Sequence, residues 1–260
     1  MKSPAHFGAF GVLVMLAFFI AFNPVNSRAQ KTPLPPPVTL EPAEGRRLAS
    51  VLLADMLSQK PAGTNTGKLR VRARGPERTA DIRFDVFSNL SNSTAIYRSR
   101  DIEGRPVELR IIHSGTQPNQ YILSNSESDA KKGGNKLSGP EIMSPFAGSD
   151  FWVADLGLEF LHWPNQRVIR KEARKVKFCN VLESVNPQPS PGGYSRVVSW
   201  IINDNSHGIL HADAYDSNDK LFKQFDPKKV EKVEGEWQLQ SMEMRNLRTD
   251  SRTIIDFDLD

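Results

Sequence analysis

The chain has one cysteine and five histidines in 260 residues, and these are the first places to look for chemistry. Cys179 stands in the run Lys177-Phe178-Cys179-Asn180. A nucleophilic thiol needs a neighbouring base and surroundings that lower its pKa. Neither is legible here, and an isolated cysteine in a strand-like run is most simply a small buried residue. His207 and His211 lie four apart, with Asp213 and Asp216 following, the spacing with which two imidazoles grip one metal on a helix. The segment 208–215 reads as a strand, however, where positions four apart share a face about 13 Å from each other. They are therefore expected as solvent-facing strand polarity, with no metal bound. His113 and His162 have no partner that the sequence identifies. Gly-x-Ser-x-Gly, a Gly-rich phosphate loop before a helix and His-Glu-x-x-His are all absent from the sequence, which lowers the case for an enzyme. An exported hydrolase, using Cys179 or a carboxylate cluster beside a histidine, is the least favoured reading.

The remaining candidates are apolar. Trp152, Phe160, Trp163, Trp200, Phe225 and Trp237 could line a cavity for an acyl chain, although each taken singly is ordinary core. The elements that would position them follow from hydrophobic period. Leu48, Val51, Leu52 and Met56 recur at helical spacing over 44–59, ended by Pro61 and Gly63. The period then becomes two: Leu69, Val71 and Ala73 alternate with basic residues, and Ile82, Phe84 and Val86 alternate with Asp81, Arg83 and Asp85. Further strands are expected at 94–100, 107–113, 120–124, 175–184, 194–202, 208–215, 220–225, 237–245 and 252–259, bounded by Gly, Pro, Asn, Asp or Ser. The charged run 228–234 reads as a solvated strand face. The polar run 124–139 predicts a mobile loop, and 149–163 a second helix, with Ser149 or Asp150 as cap and Pro164 as stop. About eleven strands, two helices and no βαβ alternation predict an α+β, strand-rich fold, a curved antiparallel sheet or incomplete β-barrel with helices over one opening.

Residues 1–29 read as a cleaved signal peptide: Lys2, an apolar run of fourteen residues from Ala9 to Phe22, then Ser27-Arg28-Ala29. A membrane-spanning helix needs about 20 apolar residues. Cleavage after Ala29 with no cysteine beside it predicts an exported, unanchored protein. A Pro-rich linker is expected at 30–43 and one domain over 44–260. The formal net charge is +4, of which the signal carries Lys2 and Arg28, and the remaining Lys and Arg are scattered among acids. Nucleic acid is therefore not an expected partner. A single cysteine excludes an internal disulfide.

The C-terminal half also carries an ordered series of short matches. They are Gly148-Ser149-Asp150-Phe151, Asp155-Leu156, Trp163-Pro164, Cys179-Asn180-Val181-Leu182-Glu183, the run from Tyr194 to Ile201, Ala214-Tyr215-Asp216, Lys220-Leu221-Phe222-Lys223, Gly235-Glu236-Trp237, Met242-Glu243-Met244-Arg245-Asn246 and Thr253. In order and spacing this series resembles the LolA-like outer-membrane lipoprotein-sorting proteins, over about residues 145–257. The resemblance implies an unclosed antiparallel barrel wrapped over helices, a periplasmic location, and an apolar interior holding acyl chains of lipoproteins or lipids. It implies membrane-bound donor and acceptor proteins, and neither cofactor nor catalytic residue. The residues expected at the acyl-chain cavity are Leu52, Met56, Phe151, Leu156, Phe160, Trp163, Trp200, Phe225 and Trp237. The alternative on the same scaffold is an envelope-sensing or regulatory module that binds a protein partner.

Overall fold

The computed structural model describes residues 35–59, 63–73, 75–233 and 236–259, and only the backbone of 232, 233, 236 and 237. The signal segment 1–29 and the first part of the linker lie outside the described residues. A helix α1 (Pro42–Ser58) precedes a meander of six strands: β2 (Gly63–Arg72), β3 (Arg78–Ser88), β4 (Ser93–Arg100), β5 (Pro106–His113), β6 (Gln120–Ser124) and β7 (Asn135–Leu137). A crossing segment follows, built of short turns around a four-residue helix. A second meander completes the chain: β8 (Asn165–Arg174), β9 (Lys177–Val185), β10 (Arg196–Ile202), β11 (Ile209–Tyr215), β12 (Leu221–Val233), β13 (Glu236–Asn246) and β14 (Ser251–Phe257).

The fourteen strands among the described residues form one antiparallel sheet in the order β1-β8-β9-β10-β11-β12-β13-β14-β2-β3-β4-β5-β6-β7, with β1 being Val38–Thr39. The two meanders join where β14 pairs with β2, from Arg252 opposite Arg72 to Phe257 opposite Gly67. The backbones come so close there that a Cβ on Gly67 would lie 2.1 Å from the Asp256 carbonyl oxygen. The sheet is open, with β1 and β7 as its edges, so the expected curved and unclosed antiparallel architecture is the one found. One face carries two large apolar clusters. The first joins β2–β6, β13 and β14 to the crossing segment. The second joins α1 to β8–β12.

Three expectations are corrected. The helix expected over 149–163 is broken into α3 (Val153–Leu156) and one 3₁₀ turn, Glu159–His162, with another 3₁₀ turn, Phe146–Gly148, just before it. Gly157 sits where a Cβ would meet the Tyr121 hydroxyl at 2.2 Å, and Leu158 takes a left-handed φ of 48° that ends the helix. The run read as a mobile loop contains a helix α2 (Glu127–Lys131), capped by the Ser126 hydroxyl, and then β7 paired with β6. The Pro-rich segment ends in β1, which pairs with β8 through Val38 and Thr39. β8 itself escapes a search by period, because a register shift between Val168 and Arg170 interrupts its alternation.

Helix α1 lies directly on β8, and Gly45 is its contact point: a Cβ there would sit 2.3 Å from the Val168 carbonyl oxygen. Gly45→Ala should cost about 1–3 kcal/mol by forcing the helix off the strand, outweighing the gain in helix propensity. Val51→Ala on the exposed face should stay within about 0.5 kcal/mol. Urea unfolding of the two variants measures the contrast.

Candidate functional site

The two apolar clusters do not meet everywhere. Between them lies a cavity of about 390 Å³, within the range of small-molecule sites. Its walls come from inward positions of strands on both sides: Phe84 and Val86 of β3, Ala95 and Tyr97 of β4, Ile209, Ala212 and Ala214 of β11, Lys223 and Phe225 of β12, and Met242 and Met244 of β13. Period-two alternation brings these to one face. Phe151, Leu156 and Phe160 from the crossing segment and Met56 from α1 cover them. The rim includes the end of α1, the β3–β4 turn with Leu90 96% exposed, His113 and His162.

Five residues anticipated from sequence, Met56, Phe151, Leu156, Phe160 and Phe225, are therefore brought together on the cavity. Leu52 sits one turn before Met56 in the packed core between α1 and the sheet, and Trp163 is buried in the same core, away from the cavity wall. Trp200 is on the opposite face of the sheet. Its neighbours Val197 and Ile201 point toward α1, so Trp200 joins Cys179, Val181, Val198, Ile202 and Leu210 behind. There its indole N–H donates to Glu172, with the Arg174 guanidinium 4.6 Å over the ring. The Trp237 side chain lies outside the described residues.

Two polar networks border the cavity. In the first, Asp155 of α3 accepts hydrogen bonds from the Tyr194 hydroxyl at 2.7 Å, from its own helix start through the Trp152 backbone N–H at 2.7 Å, and from the Lys223 ammonium at 3.3 Å. Lys223 is only 1% exposed. Burial lowers its pKa to about 8, against the opposing pull of Asp155. In the second network, Tyr121 donates to Glu159 at 2.9 Å, and Asn119 donates through its amide nitrogen to the Gly157 carbonyl at 2.8 Å and accepts at its Oδ1 from His113 Nδ1 at 2.8 Å. Burial raises the Glu159 carboxyl, and burial together with the neighbouring charge of His113 holds His162 down to about 4.

The histidine pair behaves differently from its expected solvent-facing role. His211 is buried on the outer face, its two ring nitrogens 3.0 Å from Asp226 and 2.9 Å from Asp213. Burial lowers its pKa, but the two carboxylates outweigh that and the net shift is upward. His207 reaches instead to Asp55 of α1 at 3.2 Å. Cys179 is buried, and burial pushes its thiol up to about 11, so at neutral pH it is a thiol rather than a thiolate. Lys223 and Asp155 were not singled out from sequence. Asp155 stands in an apolar run, Val153-Ala154-Asp155-Leu156, and Lys223 between Phe222 and Gln224, and only the fold brings them into contact.

Two outcomes test this site. Asp155→Ala should cost about 3–5 kcal/mol by leaving a buried ammonium alone, and the Asp155→Ala/Lys223→Met double variant should recover part of that in a denaturation cycle. An unfolded imidazole takes up its proton near 6.5, whereas folded His162 resists until about 4. The His162 contribution is therefore complete above pH 6.5 and lost as pH falls toward 4. Melting temperature should drop across that window, and less steeply in His162→Gln.

A family model described as "Uncharacterized protein" matches residues 129–259. Comparison with curated proteins finds no match. Among solved structures, the chain is similar to a DUF1329 family protein from Desulfovibrio piger, with a TM-score of 0.62 at 19% identity, covering 82% of this chain and 90% of that one. It is similar to a domain described as a candidate outer membrane lipoprotein-sorting protein from Vibrio parahaemolyticus, with a TM-score of 0.63 at 17% identity over 84% and 91% of the two chains. A LolA superfamily protein from Nitrosomonas europaea gives 0.55 at 18% identity over 81% and 91%. At these identities the likeness establishes a LolA-like fold.

Proposed function

We propose that this chain, which belongs to the uncharacterized protein family matched over residues 129–259, is a carrier that holds the acyl chains of lipoproteins or other lipids in the cavity beneath its sheet. The observation that carries this reading is the cavity itself: an apolar space, open at a rim, left between two well-packed clusters. Each CH₂ removed from water there contributes about 0.8 kcal/mol, so a long chain is held by area alone. Binding needs no covalent step, and the reading includes no catalysis and no cofactor. The sequence features of an export signal support work in the periplasm, with membrane-bound donors and acceptors of the cargo. The LolA-like fold is compatible with this, since one relative is described by lipoprotein sorting.

A second reading is an envelope-sensing module that docks a protein partner. It is favoured by the β8–β9 hairpin tip, where Val176 and Phe178 are exposed and Lys175 and Val176 both hold a positive φ, an uncommon conformation for a β-branched residue.

Native mass spectrometry of protein purified from a membrane-containing lysate tests the first reading. Bound lipid, or uptake of an offered triacylated lipopeptide, is expected. Ala95→Phe and Ala212→Phe, which add a ring to the cavity wall, should each reduce uptake about tenfold, or about 1.4 kcal/mol. A protein that stays empty under both conditions would rule out the carrier. Capture of a membrane protein that Phe178→Ser abolishes would favour the sensor.

A further inference from the structure

Lys223 is out of place on an apolar wall. Its ammonium has three N–H groups, and among the described residues it makes one hydrogen bond, to Asp155 at 3.3 Å. That is long for a charge-assisted bond, which is normally about 2.7–2.9 Å. The shorter bonds of Asp155 go to Tyr194 and to the Trp152 backbone. The ammonium lies 3.6 Å from the Trp152 ring centre and 5.4 Å from that of Tyr194, contacts that stabilise its charge but leave N–H groups without an oxygen acceptor. A buried donor without an acceptor is costly, and this one borders the cavity together with Asp155.

The local charge decides what kind of acceptor fits. Lys223 is already balanced by Asp155, while Asp150 and Arg248 act on it from further off with opposite signs. A ligand bringing a full negative charge would sit beside the Asp155 carboxylate in a buried site, where like charges repel more strongly than in water. A neutral carbonyl oxygen accepts the N–H without adding charge. We propose that Lys223 donates a hydrogen bond to the carbonyl oxygen of an ester- or amide-linked acyl chain, so that the cavity selects neutral acyl linkages over free fatty acids. This rests on the acyl-carrier reading and narrows it to a linkage. Burial keeps the ammonium pKa near 8, so the donor stays mostly charged at neutral pH.

The test is displacement of a fluorescent apolar probe from the full chain at pH 7 by four ligands that share a sixteen-carbon chain: methyl palmitate, N-methylpalmitamide, palmitate and 1-hexadecene. The ester and amide should bind about tenfold more tightly than palmitate or the alkene. Within the Lys223→Met protein the ester and amide should bind no more tightly than the alkene, and Lys223→Gln, which keeps a neutral N–H donor, should restore part of the difference. A wild-type protein that prefers palmitate, or a Lys223→Met protein that keeps the ester preference, overturns the proposal while leaving the carrier reading intact. Failure of every alkyl ligand to bind overturns both. Infrared spectroscopy of methyl palmitate labelled at its carbonyl gives a readout independent of the variants. Bound to the wild-type chain, the C=O stretch should move to lower frequency than in hexadecane, and an unshifted band contradicts the proposal.

Discussion

One open sheet of fourteen strands exposes a broad apolar inner face, and the chain has little with which to cover it. Apolar surface left in water is unfavourable in proportion to its area, so each covering element goes where it buries most. The seventeen residues of α1 take the β8–β12 half, and the crossing segment takes the other. Both halves pack to completion, with Ala49, Val153, Val168, Leu69 and Ile255 fully out of water. Between them the cover runs out. The cavity is thus a result of arithmetic between sheet area and helix length, not of a defect in packing on either side.

What keeps that space from collapsing is polar. The crossing segment is held by directed bonds at the points where it turns: Asp155 by Tyr194 and Lys223, and Gly157 by Asn119. Asp150 accepts from Ser251 and Thr253 of β14, and its own backbone N–H donates to the Thr253 hydroxyl. Such bonds have fixed lengths and directions, unlike apolar contact, and they hold the segment at a set height above the strands. Buried networks of this kind specify geometry more than they add stability.

How much of this was legible in the sequence depended on the range of the signal. Alternation in Ile82-Arg83-Phe84-Asp85-Val86 reports a local property, and it read correctly as a strand. The inward aromatic positions Phe151, Phe160 and Phe225 could be named because large apolar residues must be buried somewhere. Which side of the sheet a residue takes is not local: Trp200 looked the same as Phe225 in sequence, and one position of register sends it to the back. The helix expected over 149–163 fails for a similar reason. Its apolar spacing is helical, but Tyr121, more than thirty residues away, occupies the space beside Gly157 and the path bends around it. Lys223 and Asp155 meet across 68 residues, and nothing in either neighbourhood announces the other.

The seam between β14 and β2 has a consequence for how the molecule comes into being. The Arg70–Asp256 pair that spans it joins residues 186 apart in the chain, and closing a loop of that size carries a large entropy cost before any contact repays it. During synthesis β14 follows every other described strand, so until it arrives β2 is an unpaired edge, able to template another chain. Strand order therefore leaves the two meanders unjoined until β14 reaches β2, and pairing over such a separation is intrinsically slow to form.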